Sequence, residues 1–142
     1  MLIAHRGKVN NFIKENTLDA FKEAINDPKY VGFELDVRET KDHEFICAHD
    51  FLSHNKIIKN TNLDELVTLG FTSLKDVLKL ETDKIILVEI KDFNINISKL
   101  STLLNKAKRS IYVMSFNNKV MHQIKPYAKN FKCGILNYIF KQ

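Results

Sequence analysis

Two strand-like runs near the middle of the chain lie too close together for the connection that the rest of the sequence favours. Val31-Gly32-Phe33-Glu34-Leu35-Asp36-Val37 is rich in strand formers, and Phe45-Ile46-Cys47-Ala48 is apolar again until it reaches His49. The polar stretch Arg38 to Glu44 between them is shorter than the dozen or so residues of a parallel crossover, so the chain must turn back, with Lys41-Asp42-His43 as the turn. Period-two alternation throws Glu34 and Asp36 onto one face of the first run. Doubling back at residues 42 and 43 sets Asp36 roughly opposite His49. An imidazole beside paired carboxylates is a starting point for metal-assisted acid/base chemistry.

Elsewhere strands alternate with helices. Leu2-Ile3-Ala4 reads as a short buried strand ending at His5-Arg6-Gly7, and Asn16 or Thr17 caps a helix whose Leu18, Phe21 and Ile25 recur near 3.6 residues before Pro28. Phe51 to Asn60 reads as a polar loop pinned by Leu52, Ile57 and Ile58, placed directly after His49 where it would influence substrate choice. Leu63 to Leu66 forms a helical turn, and Thr72 or Ser73 caps a short helix with Leu74, Val77 and Leu78 on one face. Lys84 to Val88 is almost unbroken aliphatic, as in a parallel strand covered on both faces, and runs into Glu89-Ile90-Lys91. A helix capped by Ser98, a strand over Ile111 to Met114, a helix from Asn117 to Tyr127 and a sixth strand over Phe131 to Leu136 complete the series, followed by the apolar tail Tyr138-Ile139-Phe140. The class is α/β with a largely parallel sheet in one domain over residues 1–142.

Composition agrees: 44% hydrophobic and 27% charged residues in 142 suit one globular domain. No run of apolar residues is long enough to span a bilayer, and the N-terminus turns polar too soon for a secretory signal, so a cytoplasmic protein is expected. Cys47 and Cys133 lie in apolar runs as free core thiols. The net charge of +5 is unevenly spread, because Phe93 to Gln142 contains nine Lys or Arg and no acid. Such a surface attracts phosphate-bearing partners, but no nucleic-acid motif or aromatic interleaving accompanies it, so nucleic acid is not an expected partner.

The strand ends carry the chemistry. In parallel α/β sheets functional groups gather at the C-terminal ends of the strands, and here those ends hold His5 with Arg6, Glu34 with Asp36, His49, and Glu89 with Lys91. Three carboxylates are hard oxygen ligands, suited to Mg²⁺ or Ca²⁺ rather than zinc. Arg6 and Lys91 offer positive charge for a phosphate, and two histidines can divide the roles of acid and base. His43, His54 and His122 read as turn, loop and helix-surface residues.

In this order the residues resemble the glycerophosphodiester phosphodiesterase family. The resemblance runs through His5-Arg6-Gly7, Glu15-Asn16-Thr17 with Ala20 and Phe21, Glu34-Leu35-Asp36-Val37, Thr40-Lys41-Asp42 and His49-Asp50. It continues through Ser73 to Leu78, Glu89-Ile90-Lys91 and Ser115-Phe116. It implies a metal-dependent phosphoric diester hydrolase that cleaves glycerophosphodiesters to sn-glycerol 3-phosphate and an alcohol in phospholipid breakdown. By resemblance, Glu34, Asp36 and Glu89 hold the divalent metal, Mg²⁺ or Ca²⁺; His5 and His49 form the acid/base pair; Arg6 and Lys91 neutralise the phosphate. The family's attack by the substrate's own glycerol hydroxyl requires no protein nucleophile.

The implied fold is a (β/α)₈ TIM barrel, which usually takes about 250 residues. With 142 residues and six strands, an incomplete barrel is expected, either open, closed by a second copy, or a decayed or shortened relative. All metal and acid/base residues precede the missing part, which favours an active chain, and the open sheet edge favours a homodimer. The contrasting reading is a non-catalytic module that holds a phosphorylated ligand or an anionic surface with its basic C-terminal third. A lipid-cleaving phospholipase of related barrels would need an apolar rim at the site, and the sequence shows no clear amphipathic membrane helix.

Overall fold

A computed structural model describes residues 2–134. Strand β1 (Leu2–Ala4) leads through a loop to helix α1 (Leu18–Asn26), then to the long strand β2 (Tyr30–Glu39) and strand β3 (Phe45–Cys47). A small hairpin, β4 (Leu52–Ser53) with β5 (Lys56–Ile57), a 3-10 turn and helix α2 (Leu63–Thr68) follow. The chain continues as β6 (Thr72–Ser73), α3 (Leu74–Leu78), β7 (Ile85–Ile90), α4 (Ile97–Lys106), β8 (Ile111–Met114), α5 (Asn118–Ile124) and β9 (Lys132–Cys133).

Seven of these strands make one sheet in the order β6-β3-β2-β7-β8-β9, with β1 also paired to β2. β1, β7, β8 and β9 extend a parallel sheet around β2, whereas β3 runs antiparallel to it. The short connection therefore forms a hairpin, with His43 at φ 60° in its turn, as its length requires. β2 is long enough to serve two neighbours on one edge, pairing β1 at Gly32 and Phe33 and β3 at Val37 to Glu39. The pairing register differs by one residue from the expectation: Val37 faces Cys47, and the Ala48 N–H donates to the Asp36 carbonyl, so Ala48 rather than His49 stands opposite Asp36. The turn closes on Thr40 and Glu44, whose symmetric centre lies half a residue earlier than residues 42 and 43 imply. Among the described residues the sheet does not close into a barrel.

Alternation sorts the side chains into two layers. Phe33, Leu35 and Val37 of β2 and Ile86, Val88 and Ile90 of β7 pack with Phe21, Leu100, Leu104, Val120 and Ile124 from the helices, all nearly inaccessible. Phe21 stacks on Phe33 with centroids 5.0 Å apart. The opposite face of the sheet holds Glu34, Asp36 and Glu89 beside Leu87, which packs with Ile3, Tyr112 and Met114. Ile86, Leu87 and Val88 are all fully buried, as their unbroken aliphatic run predicts for a strand covered on both faces. A second small core of Ile46, Ala48, Ile58 and Leu66 lies under the β3–α2 segment, so the loop expected over Phe51 to Asn60 is an ordered hairpin and turn.

Two glycines fix close approaches. A Cβ on Gly32 would lie 2.2 Å from the Ile85 carbonyl oxygen, so only glycine lets β2 meet β7 there. Gly7, at φ 87°, turns the chain after β1, and a Cβ would fall 2.6 Å from the Ala20 Cβ. Caps are partly redistributed relative to the sequence reading. Thr17 and Ser73 cap α1 and α3 as expected, but Asn96 rather than Ser98 caps α4, because the helix starts two residues earlier. Cys47 is buried and Cys133 half-buried, both free. Part of the sixth strand is present as β9; its remainder and the tail Tyr138 to Phe140 lie outside the described residues. No helix among the described residues is long and apolar enough to cross a membrane. Three of the basic residues in the acid-free third act internally: Lys99 pairs with Glu44, Arg109 donates to the Leu80 carbonyl, and Lys132 lies over the Tyr112 ring.

Candidate active site

The parallel register of β2 and β7 sets Asp36 beside Glu89, and the two-residue repeat of β2 brings Glu34 to the same face. One carboxylate oxygen from each lies within 4.8 Å of the others, and all three side chains are buried. Few groups offset that charge. The Arg6 N–H donates to Glu34 Oε1 at 3.1 Å, and Lys91 Nζ, one turn of the pleat beyond Glu89, reaches Glu89 Oε2 at 2.7 Å. Burial, together with the charges of Asp36 and Glu89, pushes the Glu34 carboxyl up to about 8. Removal from water is the larger cause, so Glu34 holds a proton unless a cation replaces it. The close, buried, all-oxygen set fits a hard divalent cation.

The Arg6 side chain lies across the site. Arg6 adopts φ 60°, its Nη1 donates to Glu15 Oε2 at 3.0 Å, and its Nε lies 3.3 Å from Asp36 Oδ2 without forming a hydrogen bond. Arg6 and Lys91, expected to face phosphate, are thus both held against carboxylates. His5 projects from the end of β1, 70% exposed, with Nε2 3.9 Å from Glu34 Oε1. A cavity of about 520 Å³ opens here, lined by His5, Glu34, Glu89, Ile3, Leu87, Met114 and Phe116.

His49 is placed differently. It forms no hydrogen bond or ion pair with the three carboxylates and lines a neighbouring cavity of about 330 Å³ with Glu15, Asn16 and Asp50. Its Nδ1 lies 2.8 Å from Asp50 Oδ1. Its backbone is clamped: Nε and Nη2 of Arg38 both donate to the His49 carbonyl, Nη1 donates to Asp92 Oδ1, and Asp92 Oδ2 accepts the Glu39 N–H. His43 bonds to Glu39, and His54 contacts Ser53 and the Phe71 edge, as turn and loop residues do.

Asn16 lines the His49 cavity and is bonded to Asp36, a role not read from the sequence. It lies buried at φ 55°; its Nδ2 donates to Asp36 Oδ2 at 3.0 Å, and its Oδ1 accepts the Asp36 N–H at 3.1 Å. The available signal is redundancy: Asn16 and Thr17 both suit a helix cap, and a helix start needs only one. Arg38 and Asp92 were likewise unassigned, although each follows a predicted ligand strand within three residues.

Comparison with known proteins gives a consistent picture. Residues 5–141 match the model of the glycerophosphoryl diester phosphodiesterase family. A glycerophosphodiester phosphodiesterase of Caldanaerobacter subterraneus subsp. tengcongensis is 30% identical over 96% of this chain and 66% of its own length. The crystal structure of glycerophosphodiester phosphodiesterase from Thermotoga maritima superposes with a TM-score of 0.77 at 28% identity, covering 99% of this chain and 64% of that one. One from Parabacteroides distasonis shares the fold at a TM-score of 0.79 and 20% identity, over 92% and 62% of the two chains. The chain thus spans slightly under two thirds of these relatives. With the family model matching residues 5–141, this chain belongs to the glycerophosphoryl diester phosphodiesterase family.

Proposed function

We propose that the chain hydrolyses glycerophosphodiesters to sn-glycerol 3-phosphate and an alcohol, as a step in phospholipid breakdown, with Mg²⁺ or Ca²⁺ held by Glu34, Asp36 and Glu89. The observation that carries this reading is the trio of buried carboxylates within 4.8 Å, with the acidity of Glu34 suppressed by burial and, next, by the charges of Asp36 and Glu89. A bound cation would supply charge stabilisation for the phosphate and restore Glu34 to its ionised form. The remaining chemistry belongs to side chains. The glycerol hydroxyl next to the phosphodiester attacks phosphorus while one histidine accepts its proton, and the other histidine protonates the departing alcohol oxygen as the P–O bond breaks. Water then opens the cyclic phosphate with the two proton roles reversed. An ionised Asp50 accepts from His49 Nδ1–H, which leaves Nε2 free to exchange the proton. Once a cation takes up the carboxylate charge, Arg6 and Lys91 are free to turn toward phosphate oxygens.

The test is release of glycerol 3-phosphate from glycerophosphocholine and glycerophosphoethanolamine with Mg²⁺, Ca²⁺ or EDTA, beside His49→Ala. Turnover that needs the cation and is lost in His49→Ala supports the proposal. A folded protein that turns over neither substrate with either cation overturns it.

A further inference from the structure

The two histidines of the site stand in separate cavities that share no lining residue, His5 with Glu34 and Glu89 in one and His49 with Asp50 in the other. Arg6 touches a lining residue of each, since its backbone N–H donates to Glu34 Oε1 and its Nη1 to Glu15 Oε2. Asp36 is tied to the second cavity through its bond from Asn16. In-line displacement at phosphorus needs two such spaces, because the attacking and leaving oxygens occupy opposite faces.

The linings distinguish the two. Ile3, Leu87, Met114 and Phe116 give the His5 cavity an apolar wall, whereas Glu15, Asn16, Asp50, Ser53 and His54 bring polar groups to the His49 cavity. Once the alcohol has left, a water molecule must take its place on the same face of phosphorus, so the leaving side has to admit water and the glycerol side does not. The polar His49 cavity meets that demand. Lys14 stands there with the Glu15 and Asp50 carboxylates, charges of both signs, so selection by net charge is weak and falls instead to the walls. Two aromatic rings build one of them. Helix α2 is followed by Gly70 at φ 103°, the Phe71 N–H donates to the Leu66 carbonyl, and the Phe71 side chain packs on the small core of Ile46, Ala48, Ile58 and Leu66. His54, in the β4–β5 turn at φ 54°, meets the Phe71 ring edge-on with centroids 5.4 Å apart. Its Nδ1 lies 2.9 Å from Ser53 Oγ, and its Nε2 makes no hydrogen bond among the described residues. A cavity of about 330 Å³ with these walls suits an alcohol of few heavy atoms.

We propose that the His49 cavity receives the departing alcohol and that Phe71 and His54 restrict it to compact polar alcohols the size of ethanolamine or choline. This rests on the phosphodiesterase reading above. The glycerol hydroxyl oxygen bonds to phosphorus, giving its proton to His5, as the bond to the alcohol oxygen breaks and that oxygen takes a proton from His49. Water entering the vacated space returns a proton to His49 as it opens the cyclic phosphate, and His5 gives its proton back to the glycerol oxygen.

The test compares kcat/KM for glycerophosphoethanolamine and for the same diester carrying a dansyl group on its nitrogen, in the unaltered chain, Phe71→Ala and His54→Gly. Each value is divided by that for preformed cyclic glycerophosphate, which has no alcohol to place. His54 is exposed and glycine keeps its φ accessible, so His54→Gly decides the matter where Phe71→Ala disturbs the core beneath it. The unaltered chain is expected to favour the unmodified diester by at least about a hundredfold, and each folded variant to narrow that preference by at least about tenfold. Equal use of the two diesters by the unaltered chain, a preference that both variants leave intact, or a loss shared equally by the cyclic phosphate and both diesters overturns the alcohol pocket and leaves the phosphodiesterase reading standing. Failure of the folded chain to turn over either diester or the cyclic phosphate with Mg²⁺ or Ca²⁺ sinks that reading, and the pocket with it.

Discussion

Asn16 offers the most discriminating test of how the carboxylates are held. Its amide makes a reciprocal pair with Asp36, donating to the carboxylate at 3.0 Å and accepting the backbone N–H at 3.1 Å, all within a buried setting. Asn16→Gly keeps the φ of 55° accessible and removes only the side chain, so it isolates the two bonds. A hydrogen bond to a charged group contributes about 1.5–3 kcal/mol, and a buried N–H left without a partner costs about 1–3 kcal/mol. These overlap in one small cluster and do not add fully, so a loss of about 3 kcal/mol is expected. Asn16→Ala removes the same bonds and also forces a Cβ into the left-handed region, which costs about 1 kcal/mol more. Urea unfolding in EDTA reads both losses. Cation titration of the same variants reads whether Asp36 remains aimed, and affinity is expected to fall by about 10–100-fold, as when a ligand's supporting bonds are removed. Equal stability of Asn16→Ala and Asn16→Gly, or unchanged cation affinity in both, would refute this account of Asn16.

Other consequences follow from the same geometry. Gly7→Ala meets both an unfavourable φ and a Cβ 2.6 Å from Ala20, so it is expected to lower stability by about 2–4 kcal/mol, read as a shift in the urea midpoint. Without a cation, the folded-state value of about 8 for Glu34 lies above the 4.5 of an unfolded carboxyl, so the folded chain keeps the proton longer. Its contribution to stability is fully present below pH 4.5 and is lost as pH rises through 8; at ~1.4 kcal/mol per unit this amounts to a few kcal/mol. Unfolding in EDTA at pH 5 and pH 8 should show that fall in the unaltered chain and a much flatter profile in Glu34→Gln. Arg38→Gln removes the clamp on the His49 carbonyl and the bond to Asp92 Oδ1, with turnover expected to drop about 10–100-fold. Arg38→Lys should recover less than half of that drop on a logarithmic scale, because one ammonium cannot serve both the carbonyl and Asp92; full recovery would count against the clamp.

Much of the fold is legible in the sequence because its signals are local. The alternation over Val31 to Val37, the aliphatic run before Glu89 and the helical spacing of Leu18, Phe21 and Ile25 each follow from burial on a defined face. The short hairpin connection follows from length alone. The one-residue register error does not, since the turn type and the fit of Cys47 against Val37 decide it, and neither leaves a compositional trace. The carboxylates were likewise readable, because two-residue spacing on adjacent parallel strands brings Glu34, Asp36 and Glu89 together whatever the loops do. The supporting partners were not: Asn16 reaches Asp36 across 20 residues and Arg38 meets Asp92 across 54, contacts that only the folded sheet defines.

The central claim is that Glu34, Asp36 and Glu89 form a divalent-cation centre. Calorimetric titration of Mg²⁺ and of Ca²⁺ into the chelator-treated chain at pH 7, beside Glu89→Gln, tests it most directly. The account predicts a single binding site per chain, accompanied by proton release from Glu34 and abolished or weakened by at least about a hundredfold in Glu89→Gln. No binding of either cation by the folded chain, or binding that Glu89→Gln leaves unchanged, would contradict it.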